Sequence, residues 1–198
     1  MIFKNIFIKE GIYERKIEFT NGVNLIYSQR NSRGKTTLLR LMLYGLGYDI
    51  PSTRKLKFDK CYIELEAEFE NLGQVKLIRN KKELIEVIIN GEIQTYVLPS
   101  EQKKLHALLY NSYNDDILSN LLGVYYVDQE KGWTLLNRGI VIGSIRFNIE
   151  SLVRGLSGID CNDLIRKEKK ISNDLQKYKQ RIPKIHTDRR KFHDNRFI

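Results

Sequence analysis

Long hydrophobic runs are missing from this chain: no stretch approaches the roughly 18 apolar residues that a membrane-crossing helix needs. The opening residues, Met1-Ile2-Phe3-Lys4, alternate with charge and lack the apolar core of a secretory leader. Cysteine is scarce. Cys61 and Cys161 stand far apart without metal-type spacing, so neither a disulfide framework nor a zinc module is expected, and a reduced, cytoplasmic setting is. Histidine is scarce too: His106, His186 and His193 sit in polar or charged surroundings without ligand spacing, and are expected on the surface. Internal repeats and low-complexity linkers are also lacking. What is present is ample for a core, because 41% of the 198 residues are hydrophobic, which excludes a disordered chain.

The net charge of +10 is unevenly spread. Residues 166–198 hold twelve Lys and Arg against four Asp and Glu, which is +8, so the first 165 residues carry only +2. A near-neutral body with a basic tail predicts that the tail meets a polyanion, most simply nucleic acid. A lysine-rich solvated helix is the plain alternative.

Residues 2–9 and 16–19 read as strands, with a turn at Asn21-Gly22. Val23-Asn24-Leu25-Ile26-Tyr27 reads as a third strand, and Leu38 to about Gly45 as a helix ended by Gly45, Gly47 and Pro51. Clean alternation over Tyr62–Phe69, then Gln74–Arg79, and a hairpin around Asn90-Gly91 predict a β-rich lobe over about 58–98. Helical patterns follow at about 101–111 and 114–121, with a short buried strand over Gly123–Asp128. Gln129–Gly143 reads as loop and Phe147–Gly155 as helix. From Asn162 onward Leu164, Ile171, Leu175, Tyr178 and Ile182 recur at spacings of 7, 4, 3 and 4, the base of a coiled coil that Pro183 should kink or end.

Between the third strand and its helix lies Gln29-Arg30-Asn31-Ser32-Arg33-Gly34-Lys35-Thr36-Thr37. Strand, loop and helix are the setting of a phosphate loop, in which backbone N–H groups and a helix N-terminus cradle an anion. Lys35 is placed to reach the β- and γ-phosphates and the Thr36 hydroxyl to hold Mg²⁺. Gln29 stands where the usual first glycine of this loop would be.

The chain resembles the N-terminal half-head of an SMC-type ATPase, the ABC-like cassette shared with RecF- and RecN-like proteins. Ile6–Phe19 followed by Asn21-Gly22-Val23-Asn24-Leu25-Ile26 is similar to that family's opening, two strands before a "G-x-N-x-I" strand, and Asn31–Leu39 is similar to its "N-G-S-G-K-S/T-x-L-L" core. Gln29 and Ser32 replace glycines. Tyr125-Tyr126-Val127-Asp128-Gln129-Glu130 resembles the Q-loop, which would make Gln129 a ligand of Mg²⁺ and of the attacking water.

The resemblance implies an α/β fold: a P-loop mixed sheet, an antiparallel lobe and a C-terminal helical coiled-coil stem, with residues 1–160 as half-head and 161–198 as basic stem. It implies ATP and Mg²⁺ bound by Asn31, Ser32, Arg33, Gly34, Lys35, Thr36, Thr37 and Gln129, with Lys35 and Gln129 in catalytic roles. The expected partners are a C-terminal half-head or second head, and DNA along residues 166–198. Walker B, the catalytic Glu and the signature motif would belong to that other half, so ATP hydrolysis is expected only on completion. The loop's form is closer to that of bacterial defence-associated relatives. Two motifs compete within the chain. Val124–Asp128 has the form of a Walker B strand, which would give a stand-alone NTPase using Asp128. Gly155-Leu156-Ser157-Gly158 echoes the ABC signature but reads as a helix-ending turn. A degenerate, non-catalytic dimerisation or DNA-tethering module is the remaining alternative.

Overall fold

The computed structural model describes residues 1–30, 33–53, 56–127, 139–159 and 161–194. It divides into a unit spanning Met1–Leu156 and a second spanning Ser157–Ile198.

The first unit is built on one six-stranded sheet, ordered β2-β1-β3-β4-β5-β6. The strands are β1 Ile2–Glu10, β2 Tyr13–Glu18, β3 Tyr62–Phe69, β4 Gly73–Lys81, β5 Leu84–Ile89 and β6 Glu92–Val97. Every pairing among them is antiparallel. The sheet expected to be mixed therefore has no parallel pair among the described residues. The β lobe is not separate either, since β3 pairs with β1 and carries it into the same sheet. Asn90 (φ 51°) and Gly91 (φ 86°) both take left-handed backbone, the tight turn that the Asn-Gly pair signals.

Period-two alternation sends Ile6, Ile63, Leu65, Ala67, Val75, Leu77, Ile85 and Val87 to one face, each almost wholly buried. Helix α1 (Lys35–Gly45) lies on that face, and Gly45 permits the approach: a Cβ there would stand 3.3 Å from Leu65. Helices α2 (Gln102–Tyr110), α3 (Asp115–Leu118) and α4 (Leu121–Tyr125) follow. A two-stranded hairpin comes next, β7 (Gly139–Ile142) with β8 (Ile145–Phe147), then α5 (Ile149–Ser157). The hairpin falls partly in the segment expected to be loop; Ile-Val-Ile and Ile-Arg-Phe around Gly143-Ser144 carry its signal.

Two expected strands do not form. Residues 22–28 adopt no regular structure, and Val23, Leu25 and Tyr27 are 97%, 82% and 78% exposed. A strand needs a hydrogen-bonding neighbour, and none of the described strands pairs with this segment. Gly123–Asp128 is not a strand as far as it is described, because α4 occupies Leu121–Tyr125. Leu122 and Tyr126 are both buried four residues apart, which is the helical period rather than the strand's. The signature-like Ser157-Gly158 does end a helix, with Gly158 at φ 70°.

In the second unit α6 runs from Asn162 to Asp194, through Pro183 rather than stopping there. Proline removes one backbone donor, and the turns on either side continue the helix across it. Leu164, Ile171, Leu175 and Tyr178 are all more than half exposed along it.

Candidate functional site

The phosphate-loop residues that are described converge on the start of α1. Gly34 is its N-cap, at φ 88°, a left-handed setting that glycine takes without penalty. Leu38 N–H donates the first helical bond to the Gly34 carbonyl at 2.9 Å. The N–H groups of Lys35, Thr36 and Thr37 thus precede the helix's own ladder. Among the described residues no side chain caps them, and no acidic residue occupies the first turn. Among the described residues, a Cβ on Gly34 would meet nothing within 4 Å. Upstream, the Ser28 hydroxyl donates to the Arg30 carbonyl at 2.9 Å and accepts from the Arg30 N–H at 3.3 Å, tying the loop's entrance. Arg30, Arg33 and Lys35 add positive charge beside the helix's positive dipole end. These residues fit a polyanionic phosphate group, and Thr36, exposed in the first turn, has a hydroxyl of the type that holds Mg²⁺. Asn31, Ser32, Asp128 and Gln129 lie outside the described residues. The Walker B reading of Val124–Asp128 loses its strand to α4.

The far end of α1 is held by two side chains for which sequence reasoning gave no buried role. Arg79, on β4, is 2% exposed. Its Nη1 donates to the carbonyls of Tyr44 (2.6 Å) and Tyr48 (3.1 Å), and its Nη2 to that of Lys82 (2.7 Å). Its Cζ lies 3.5 Å from the centroid of the Tyr44 ring. Burial holds the guanidinium below its ordinary pKa, against the pull of Tyr44 and Asp49. The signal for Arg79 was the break in alternation at the end of β4, a charged residue at an inward position. His106, expected on the surface, is instead 4% exposed, in van der Waals range of Tyr48 (ring centroids 4.3 Å) and near Tyr110 (5.8 Å). It shares the inner face of α2 with Leu105 and Leu109, while Lys103 and Lys104 make the local sequence look polar. Its Nε2 lies 3.1 Å from the Leu46 carbonyl; a carbonyl only accepts, so that nitrogen carries the proton. Burial pulls the His106 pKa down to about 4, with the Leu46 bond opposing. The side chains of His186 and His193 lie outside those described.

Beside α1 runs an apolar cleft of about 370 Å³ lined in part by Met1, Phe3, Leu39, Leu43, Leu122 and Tyr125. Leu39 and Tyr125 at its mouth are 41% and 77% exposed. No described helix is long and apolar enough to cross a membrane.

An antiparallel sheet that backs a glycine-started, cation-flanked helix makes an α/β domain consistent with the P-loop-like type. The family described as "AAA domain" matches residues 4–195, and the chain belongs to it, a family of SMC-like ATPases. The chain is 27% identical over 136 residues to the Lamassu protein LmuB of a Bacillus species, covering 60% of this chain and 22% of that protein. It is 23% identical over 152 residues to the Lamassu protein LmuB of Bacillus cereus, covering 68% of this chain and 26% of the relative. The matched region spans about a quarter of the length of these relatives.

Proposed function

We propose that residues 1–160 act as the ATP-binding N-terminal half-head of an SMC-like, DNA-associated ATPase in the cytoplasm, and that residues 161–198 act as its basic coiled-coil stem. The observation that carries this reading is the N-terminus of α1: left-handed Gly34, first-turn donors without a side-chain cap among the described residues, adjacent cations and no acid in the first turn. In this reading Asn31, Ser32, Arg33, Gly34, Lys35, Thr36 and Thr37 hold the triphosphate. Thr36 and Gln129 hold Mg²⁺, which supplies charge neutralisation between the phosphates when bound. Lys35 orients the terminal phosphates and Gln129 the attacking water. A first-turn cradle holds substrate without supplying a general base, so hydrolysis awaits the other half.

Two features support completion by a second body, either a C-terminal half-head or another head. Val23, Leu25 and Tyr27 stand exposed on an irregular segment that leads to the loop, as a strand lacking its neighbour would. The apolar cleft beside α1 presents Leu39 and Tyr125 to the same need. Engagement would be driven by tighter nucleotide binding in the closed pair than in the open one. The +8 charge of residues 166–198 suits DNA phosphates, with binding that weakens in salt. Similarity to Lamassu proteins, with the form of the phosphate loop, favours a defence role over chromosome maintenance or repair.

Thermal-shift titration with Mg-ATP on the wild type and Lys35→Ala tests the reading. A ligand that binds only the folded state raises the melting temperature, by about 2.7 kcal/mol of stabilisation at a hundredfold excess over Kd. The shift is expected in the wild type and not in Lys35→Ala. Equal responses in the two proteins would sink the proposal.

A further inference from the structure

Arg79 heads the largest fully buried side chains of the described residues, yet no described carboxylate pairs with it. Removing a guanidinium from water is costly, and an apolar residue of similar volume would fill the space without that cost. The company Arg79 keeps is carbonyl oxygen: Tyr44 at 2.6 Å, Tyr48 at 3.1 Å and Lys82 at 2.7 Å. Two of those three belong to the C-terminal end of α1 and the turn after it, where the helix dipole concentrates negative partial charge. The same guanidinium also covers the ring of Tyr44, a residue of α1 itself. From another layer, α2, His106 takes the Leu46 carbonyl. Carbonyls 44, 46 and 48 are thus each gripped by a side chain anchored outside α1.

We infer that Arg79 and His106 form a clamp that fixes the axial and rotational setting of α1, making them positioning residues for the phosphate cradle at its opposite end. The inference rests on the nucleotide-binding reading above. Lys35 and Tyr44 are nine residues apart, about 14 Å along a helix rising 1.5 Å per residue, so neither clamp residue touches the phosphates. A helix is stiff over that length, and any slide or rotation at its clamped end appears at its free donors. Nucleotide meets those donors in one setting of the helix only. If release leaves that setting populated a tenth of the time, apparent Kd rises tenfold. Arg79 also links β4 to α1, so a partner that shifted the sheet would be felt at the cradle.

The test compares Arg79→Met, Arg79→Lys and Val87→Ala in the full chain, each first shown to be folded by circular dichroism. Val87 is fully buried on β5, where its register partners are Leu77 and Gln94, so its truncation lowers stability without touching the clamp. Two quantities are read: Mg-ATP Kd by calorimetry, and amide hydrogen exchange of Leu38–Leu43. Arg79→Met is expected to weaken Mg-ATP about tenfold and to speed exchange in α1, with Arg79→Lys between it and the wild type. Val87→Ala should lower the melting temperature and leave Kd and α1 exchange unchanged. If Arg79→Met does not fold, Arg79→Lys carries the comparison alone. Wild-type Kd and α1 exchange in the Arg79 variant, or an equal loss in Val87→Ala, would overturn the clamp. If the wild type itself binds no Mg-ATP, the nucleotide reading falls. The clamp then stands on exchange alone, upheld by faster α1 exchange in the Arg79 variant than in Val87→Ala and refuted by equal rates.

Discussion

Lowering the pH should loosen this protein through His106 before most of its carboxylates titrate. An imidazole of ordinary pKa 6.5 is drawn down to about 4 by burial among Tyr48, Tyr110 and the Leu46 carbonyl. The folded-state value is the lower one, so the unfolded chain takes up the proton first. The contribution is therefore fully present above pH 6.5, is lost as pH falls, and is exhausted below pH 4. The fall from 6.5 to about 4, at about 1.4 kcal/mol per pH unit, is roughly 3 to 4 kcal/mol in total. Integrated over the titration, about 2 kcal/mol is gone by pH 5 and about 3 kcal/mol by pH 4. For a unit of this size, 2 kcal/mol corresponds to a fall of about 4 to 8 °C in melting temperature. Carboxylates held low by the donors they accept from, Asp116 by Arg154 and Glu101 by the Val97 N–H and Lys104, lose their contributions further down. Those losses are common to the wild type and a His106→Phe variant. The assay is urea denaturation of both proteins at steps from pH 7.5 to pH 4. His106→Phe starts less stable, because the Leu46 carbonyl loses its donor, but its curve should be flatter by about 2 kcal/mol between pH 7.5 and pH 5. Parallel curves, or an imidazole resonance titrating near 6.5 at this position, would refute the burial argument.

Two further outcomes follow from packing and pairing. Gly123→Ala should destabilise by about 2 kcal/mol despite the better helix propensity, because the new Cβ would stand 2.3 Å from the Phe147 ring; Phe147→Leu in the same chain should restore part of the loss in thermal denaturation. Asp116→Asn should cost about 1 kcal/mol at pH 7 by removing the two-point contact with Arg154 (Nε–Oδ2 2.8 Å, Nη2–Oδ1 3.0 Å). Because Arg154 holds the Asp116 carboxyl below its usual range, the wild type's advantage should shrink as pH falls through that lowered value.

The elements legible in the sequence were those whose cause is local. Alternation over Tyr62–Phe69, the Asn90-Gly91 turn and the Gly45–Gly47 helix stop are each decided within a few residues, and each forms where it was expected. The setting of Gly34, Lys35, Thr36 and Thr37 was legible for the same reason, since a glycine before an apolar helical period defines an N-terminus without help from elsewhere. Arg79 and His106 escaped because their meaning is not local. What makes them buried is the end of α1, 35 residues from Arg79 and 60 residues from His106 in sequence, and neither β4 nor α2 announces it alone. Polar neighbours, Lys103 and Lys104 above all, disguised an inner face as an outer one.

The segment before the loop shows the complementary failure. Val23-Asn24-Leu25-Ile26-Tyr27 has a strand's composition, and the chain turns into it correctly: Asn24 accepts from the Thr20 N–H at 2.8 Å and returns a bond to the Thr20 carbonyl at 2.9 Å. Strand composition states that a segment will pair if a partner lies beside it, and carries no information about whether one does. An apolar helix can bury one face against a sheet already built, as α1 does. An extended segment must also satisfy its backbone donors and acceptors sideways. Among the described residues nothing offers them, so the local code is obeyed up to the turn and stops there. The same asymmetry explains why, among the described residues, the helix of the strand-loop-helix motif forms and its strand does not.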